Sequence, residues 1–332
     1  MSVEEFLEEW NNSSDRVLVH TSGSTGKPKP MWVEKRRMEA SARITCDFLG
    51  LREGDTALLC MSLDYIAGKM MVVRSVVRGL RLMTVEPCGH PLASHLLPLA
   101  SPIDFAAMVP MQVWNALQVP EERERLMQIR HLIIGGGAVD GALADELRSF
   151  PHAVWSTYGM TETLSHVALR RLSGPEASDW YTPFEGVRLS QTADDCLVID
   201  APAVHDGPLV TNDVVEFQSS LPAGTADRRP FKILGRRDNV ICSGGIKIQA
   251  EEVERLLHTH LHEPYLITKR KDEKFGQAVV LLTEGDVATA RTVCEAVLPR
   301  YWQPRDYVHT DRIPMTATGK PARQEAERIV EA

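Results

Sequence analysis

The sequence predicts an α/β protein: a large N-terminal domain with a mostly parallel sheet and a β-rich subdomain, then a small, mobile α+β C-terminal domain. Three observations carry this. Short apolar runs alternate with helical patterns over the first half, and strand–helix alternation implies parallel strands with helices on the sheet faces. After about Arg170 the helices thin out and short strands succeed one another. From Asp238 onward helices and strands mix again, and the polar, turn-prone "GRRDN" (235–239) marks a hinge where the composition shifts. The expected domains are residues 1–237 and 238–332.

Taken in order, "VLVH" (17–20) reads as a strand. Glu34 to Leu49 reads as a helix with Met38, Ala42, Thr45 and Phe48 along one side, and Gly50 ends it. "TALLC" (56–60) is a strand, and Tyr65 to Arg78 a helix stopped by Gly79. "RLMTV" (81–85), "FAAMV" (105–109) and "HLIIG" (131–135) are further strands. Ligands on such sheets bind beyond the carboxyl ends of the strands, so the loops after "VLVH" and "HLIIG" are expected at the binding edge. "CLVID" (196–200), "PLVTNDVVEF" (208–217) and "FKILG" (231–235) form the β-rich part. Beyond the hinge, "VICSGGIKIQ" suggests a hairpin, Ala250 to His260 a helix, "PYLITKR" and "QAVVLL" strands, and Val287 to Leu298 another helix.

Composition narrows the function. A formal charge of −8 argues against a general attraction to nucleic acid, so a polyphosphate ligand would need cations gathered locally. The six cysteines include no CxxC pair, which speaks against zinc and against a disulfide framework and fits reduced thiols in the cytoplasm. "MSVEEFLEEW" lacks a signal-peptide pattern, and no apolar run is long enough to span a bilayer, so no membrane partner is expected.

Five segments carry chemistry. "HTSGSTGKPKP" (20–30) gathers the hydroxyls of Thr21, Ser22, Ser24 and Thr25 with Gly23, Gly26, Lys27 and Lys29. Glycines expose backbone N–H groups, and successive N–H groups cradle anions. A P-loop is disfavoured: that motif needs four residues between its glycines and a hydroxyl after the lysine. Here two residues separate the glycines and Pro28 succeeds Lys27, so the segment is a phosphate loop of another design or a plain polar turn. "GGGAV" supplies Gly135, Gly136 and Gly137 after a strand, a common turn in its own right. "YGMTET" offers a ring at Tyr158, then Gly159, a hydroxyl at Thr161 and a carboxylate at Glu162. Magnesium characteristically takes one or two protein carboxylates plus substrate phosphates. In "TNDVVEF", Asp213 could accept from ribose hydroxyls or be a turn residue. "MTATGKPAR" sets Lys320 on a glycine-containing loop, where a surface lysine is the plainer reading.

In their order, "HTSGSTGKPKP", "YGMTET", "TNDVVEFQ", "ILGRRDNVICSGGIKIQAEEVE" and "MTATGKPAR" resemble the adenylate-forming acyl-activating enzymes, in the acyl-CoA synthetase branch, from about His20 to the end. "SLDYIAGKMMVVRSVVRG" and "YGMTETLSHVALRRLSG" look like the 2-succinylbenzoate–CoA ligases of menaquinone biosynthesis. The resemblance implies ATP, Mg2+ and coenzyme A, and two half-reactions: acyl-adenylate formation, then thioester formation. It implies Thr161 and Glu162 near the α-phosphate and metal, Tyr158 near adenine with Gly135–Gly137 close by, and Asp213 with Arg236 on the ribose. Lys320 matches the adenylation lysine. Asp238 matches the pivot of a rotating C-terminal domain, and Gly244 and Gly245 of "SGGIK" leave room for pantetheine.

Two departures stand out. Only about twenty residues precede the phosphate loop, where family members carry a long segment, and a naturally short form is expected. The ribose motif reads Thr-Asn-Asp rather than Thr-Gly-Asp, and Asn212 is expected to tolerate positive φ and keep a turn there. A 2-succinylbenzoate substrate has a second carboxylate, for which Lys69 is the expected cation, with Ser165 and His166 as neighbours. The rivals are another aryl- or acyl-CoA ligase, a stand-alone enzyme adenylating acids for a carrier protein, and an inactive nucleotide-binding sensor or scaffold. A homodimer is left open.

Overall fold

A computed structural model describes residues 1–20, 30–93, 95–97, 102–219, 228–316 and 321–331. The chain divides into two compact units. One comprises Met1–Ser190, Val198–Leu209 and Phe217–Lys232; the other comprises Gln191–Leu197, Val210–Glu216 and Ile233–Ala332.

The first unit opens with helix α1 (Val3–Asn11). A capping box starts it: the Ser2 hydroxyl accepts from the Glu5 N–H (3.2 Å) and the Glu5 carboxylate from the Ser2 N–H (2.7 Å). Strands β1 (Arg16–His20) and β2 (Pro30–Glu34) then pair antiparallel as a ribbon of their own. This corrects the expectation that "VLVH" ends at the edge of the parallel sheet. Residues 21–29 are too few for a parallel crossover, which takes a dozen or more, so β1 pairs with its immediate successor β2.

Helix α2 (Lys35–Leu49) stops at Gly50 with φ 65°, strand β3 (Thr56–Leu59) comes next, and helix α3 (Ile66–Arg78) stops at Gly79 with φ 69°. Both are left-handed caps that a side chain would strain. Next come β4 (Arg81–Thr84), β5 (Phe105–Met108), α4 (Pro110–Gln118), α5 (Pro120–Gln128), β6 (His131–Ile134), α6 (Gly141–Leu147), β7 (Ala153–Gly159), β8 (His166–Arg171) and β9 (Thr182–Pro183). The main sheet runs β4-β3-β5-β6-β7-β8-β9; β4 to β7 pair in parallel, and β8 and β9 are antiparallel. Strands β3 and β5 are buried along their whole length, as strands covered on both faces are. Leu58, Met108, Leu132, Ile134 and Val154 of the sheet pack with Val113, Leu126, Leu143 and Leu147 of the helices. The class is therefore mixed α/β, as the alternation implied.

The strands β10 (Arg188–Gln191), β11 (Cys196–Asp200), β12 (Leu209–Phe217) and β13 (Phe231–Arg236) form a four-stranded sheet in that order. The second unit continues with β14 (Val240–Ser243), β15 (Ile246–Gln249), α7 (Ala250–Leu257), β16 (Tyr265–Asp272), β17 (Gly276–Thr283), α8 (Val287–Val297), β18 (Asp306–His309) and α9 (Arg323–Glu331). Its sheet runs β15-β14-β17-β16, with β18 parallel to β17. Ile241, Ile248, Val253, Leu257, Val279 and Leu281 build a core of its own. Among the described residues, no helix is long and apolar enough to cross a membrane.

One half-buried base makes the first unit sensitive to acid. Burial, then the positive charges of Arg130 and Arg171, push His131 down to about 4. The unfolded chain therefore takes up this proton first as the pH falls. The stability from His131 is complete above about 6.5, its ordinary value, and is lost progressively between there and about 4. Between pH 6.5 and 5 this loss is about 2 kcal/mol. Chemical denaturation at the two pH values checks it, and His131→Asn should shrink the fall by that amount.

Candidate active site

The parallel strands β6 and β7 are neighbours, so their carboxyl ends share one edge of the sheet. That edge carries the glycine turn 135–137 and the segment from Tyr158 to Glu162. The Gly135 N–H donates to Met108 O at 3.0 Å, and a Cβ there would lie 2.5 Å from Thr157 Oγ1. Gly136 has φ 78°. Both positions exclude a side chain and leave backbone at the surface of the edge.

The Tyr158 ring sits edge-on to Phe231 (5.2 Å) and Tyr181 (6.0 Å), which leaves the residue 7% exposed. At Tyr158/Gly159 the pairing of β7 with β8 shifts register. The chain then turns through a single 3₁₀ turn, Thr161–Thr163. Thr163 Oγ1 accepts from the Met160 N–H (3.0 Å) and donates to Ser165 O (2.7 Å), and Leu164 takes φ 64°. This bent corner places Thr161, which is buried, and Glu162, which is half-buried and makes no ion pair among the described residues. No cluster of three His, Cys, Asp or Glu side chains suited to a metal ion occurs among the described residues. A single carboxylate with a hydroxyl beside it still suits magnesium carried on substrate phosphates.

Behind the corner lies a chain of polar groups in which Ser165 and His166, both expected near the acid, meet Arg74, which sequence reading did not single out. Arg74 on α3 is 2% exposed and has no carboxylate partner among the described residues. Its Nη2 donates to Ser165 Oγ at 2.6 Å, while its Nε has no hydrogen-bond partner among the described residues. Ser165 Oγ lies 3.1 Å from His166 Nδ1, His166 Nε2 lies 3.1 Å from Thr45 Oγ1, and Thr45 Oγ1 donates to Ser41 O at 3.1 Å. Thr45 spends its one hydrogen on Ser41 O and so accepts from His166 Nε2–H; in the neutral ring that leaves Nδ1 as the acceptor of the Ser165 hydrogen. Burial and the Arg74 charge push His166 well below its ordinary value and keep it neutral, with its hydrogen on Nε2. Burial pushes Arg74 down as well, to about 10, so it stays a cation at neutral pH.

Lys69, five positions earlier on α3, is otherwise engaged. Its Nζ donates to Leu18 O (2.8 Å), lies 3.7 Å from Glu9 Oε2 and sits 5.3 Å from the centre of the Phe6 ring. Burial lowers its pKa and Glu9 opposes that shift. Lys69 therefore ties α1 and β1 to α3, whereas Ser165 and His166 meet Arg74. The signal for Arg74 was an arginine inside the apolar helical run "MMVVRSVV".

In the second unit, the Asp213 N–H on β12 donates to Thr211 Oγ1 (3.1 Å), and the Asp213 carboxylate lies 3.6 Å from Arg236. Arg236 also lies 3.4 Å from Asp238. The expected turn at Asn212 is absent: β12 runs straight through it, without positive φ. The Asn212 side chain instead donates to Asp238 Oδ2 (3.2 Å) and accepts from Arg237 (2.9 Å), contacts a glycine could not make. Gly244 (φ 59°) and Gly245 (φ 84°) form the two-residue turn of the β14–β15 hairpin, where left-handed backbone matches the strand twist. Gly244 N–H donates to Phe275 O at 2.9 Å, while space around Gly245 is open. Thr21, Ser22, Gly23, Ser24, Thr25, Gly26, Lys27 and Lys320 lie outside the described residues.

Known proteins match this architecture. The chain is 25% identical, over 98% of its length and 72% of the relative's, to 2-succinylbenzoate–CoA ligase of Bacillus mycoides. A solved acyl-CoA synthetase (AMP-forming)/AMP-acid ligase II-like protein from Dyadobacter fermentans is 32% identical with a TM-score of 0.66, covering 97% of this chain and 92% of that one. The fold is also that of o-succinylbenzoate coenzyme A synthetase from Bacillus subtilis, solved with ATP and magnesium. That protein is 22% identical with a TM-score of 0.73, covering 93% of this chain and 69% of that one. The AMP-binding enzyme family matches residues 4–192, more than half of the chain, and the chain belongs to that family.

Proposed function

We propose that the chain is an AMP-forming acid–CoA ligase working through an acyl-adenylate, and that its acid carries a second carboxylate, with 2-succinylbenzoate the leading candidate. The observation that carries the second part is Arg74: a buried cation without an acidic partner among the described residues, beside a serine and a neutral histidine. A buried charge is costly until it is paired. An anionic group entering beside Ser165 would complete the set, taking the role assigned to Lys69 from the sequence. The similarity to 2-succinylbenzoate–CoA ligases supports the choice of acid.

In this reading a carboxylate oxygen bonds to the α-phosphorus of ATP as the bond to pyrophosphate breaks. The CoA sulfur, as thiolate, then adds to the acyl carbonyl carbon and AMP leaves. The 21–27 loop and Lys320 neutralise phosphate charge, and Lys320 bridges the carboxylate and phosphate in the first step. Magnesium, held through Glu162 with Thr161 adjacent, would supply further neutralisation of the triphosphate. Gly135–Gly137 and Tyr158 line the nucleotide, and Asp213 and Arg236 hold its ribose. Gly244 and Gly245 admit pantetheine. A domain boundary at 237/238 with Asp238 as its pivot belongs to the same proposal.

ATP–pyrophosphate exchange across a panel of acids tests it, with CoA then added to look for thioester. Exchange should be strongest with 2-succinylbenzoate and weak with benzoate, and thioester should form once CoA is present. Exchange with monocarboxylic acids only would reassign the substrate; product that needs a carrier protein instead of CoA would reassign the acceptor.

A further inference from the structure

In the second unit the chain on either side of residues 316–320 is drawn into a neck. Met315 and Pro321 form an antiparallel bridge, and the Ala322 N–H donates to Pro314 O at 2.8 Å. The next residue, Arg323, opens α9 and is not a surface cation. Its side chain is 17% exposed, and it donates to both oxygens of Glu254 (3.0 and 2.7 Å) and to Ile267 O (2.8 Å). Glu254 also accepts from the Ile267 N–H at 2.9 Å, so one arginine fork fastens α9 to α7 and β16 together. Burial works against the Arg323 charge, but the carboxylates of Glu254 and Glu251 outweigh it and raise its pKa.

The network continues to the hinge. Glu251 lies 3.9 Å from Arg323 and accepts from Asn239 and Gln249, and Gln249 donates to Arg236 O at 3.0 Å. A second route runs through Lys269, which donates to Asp238 O (2.8 Å) and lies 3.8 Å from Glu327 on α9. Residues 236–239 and α9 are thus linked by two routes, each of which includes one ion pair, Glu251–Arg323 at 3.9 Å and Lys269–Glu327 at 3.8 Å. A planar fork holding three acceptors fixes orientation in a way an ammonium does not.

We infer that Arg323 is a positioning residue for adenylation: paired with Glu254, it anchors to α7 and β16 the chain that immediately follows Lys320, the proposed adenylation lysine. This rests on the functional reading above. Reaction rates fall steeply when a reacting group is misplaced by about 1 Å, even by a distant change.

The test compares Arg323→Ala and Arg323→Lys with the parent, all as the full chain. ATP–pyrophosphate exchange reads adenylation; thioester formation from synthetic acyl-adenylate and CoA reads the second half-reaction. For Arg323→Ala, exchange kcat should fall ~10–100-fold, while the KM for ATP and the thioester rate stay within ~3-fold. Arg323→Lys should recover part of the exchange while keeping the parental thioester rate, and it serves alone should Arg323→Ala fail to fold. Parental exchange in either variant, or equal losses in both half-reactions, overturns the inference. A parent that exchanges with no acid overturns the functional reading itself, and is recognised because the unaltered chain is silent.

Discussion

Arg74→Met is expected to lower kcat/KM for 2-succinylbenzoate by ~10²–10³-fold while leaving the melting temperature unchanged or higher. Removing one member of a desolvated charge pair costs roughly 2–5 kcal/mol of binding, which sets that range. The stability expectation has the opposite sign because Arg74 has no carboxylate to pair with among the described residues. A methionine of similar length fills the space without burying a charge, and such replacements are often neutral or stabilising. Turnover of a monocarboxylic analogue should change by less than ~3-fold, since the reacting carboxylate does not meet this side chain in the proposed arrangement. Steady-state kinetics on the two acids, with a thermal melt of each protein, checks all three. Equal losses on both acids would mean that Arg74 supports the site as a whole and does not select its ligand.

Gly159→Ala is expected to be the most damaging small substitution at the sheet edge. A Cβ there would overlap Ser165 O and lie 2.5 Å from His166 Cα and 2.8 Å from Ser165 C. These are backbone atoms of the opposing strand, so no side chain can swing aside. The β7–β8 corner would have to open, moving Thr161 and Glu162 on one side and the Ser165–Arg74 contact on the other. Overpacking of this kind costs ~3 kcal/mol or more. Exchange activity should fall at least ~10²-fold in whatever folded fraction remains. Denaturant titration and exchange on the soluble protein measure both; a variant with parental stability and rate would mean that the corner is pliable and does not set the site.

Much of the fold could be read locally. Gly50 and Gly79 stop α2 and α3 where the sequence placed the stops, because a left-handed cap is a property of a few adjacent residues. The four-residue apolar runs became β3, β5 and β6 because buried parallel strands need little else. Pairing was harder. Whether "VLVH" joined the large sheet depended on the short connection between β1 and β2, which favours a ribbon. The proposed role of Arg74 in place of Lys69 has a related cause. Lys69 and Arg74 lie on one helix, and only the arrival of Glu9 on α1, about sixty positions away, engages the first and leaves the second. Asn212 illustrates the same limit: its partners Arg237 and Asp238 come from beyond β13. The phosphate-loop and lysine-loop assignments still rest on resemblance.

In the proposed reaction the acid's own oxygen attacks the α-phosphorus of ATP. Labelling the carboxylates of 2-succinylbenzoate with oxygen-18 and running the complete reaction with ATP and CoA tests this at the level of a single atom. An acyl-adenylate route leaves one labelled oxygen in the AMP released. AMP free of label, or label recovered in inorganic phosphate alongside ADP, would contradict it.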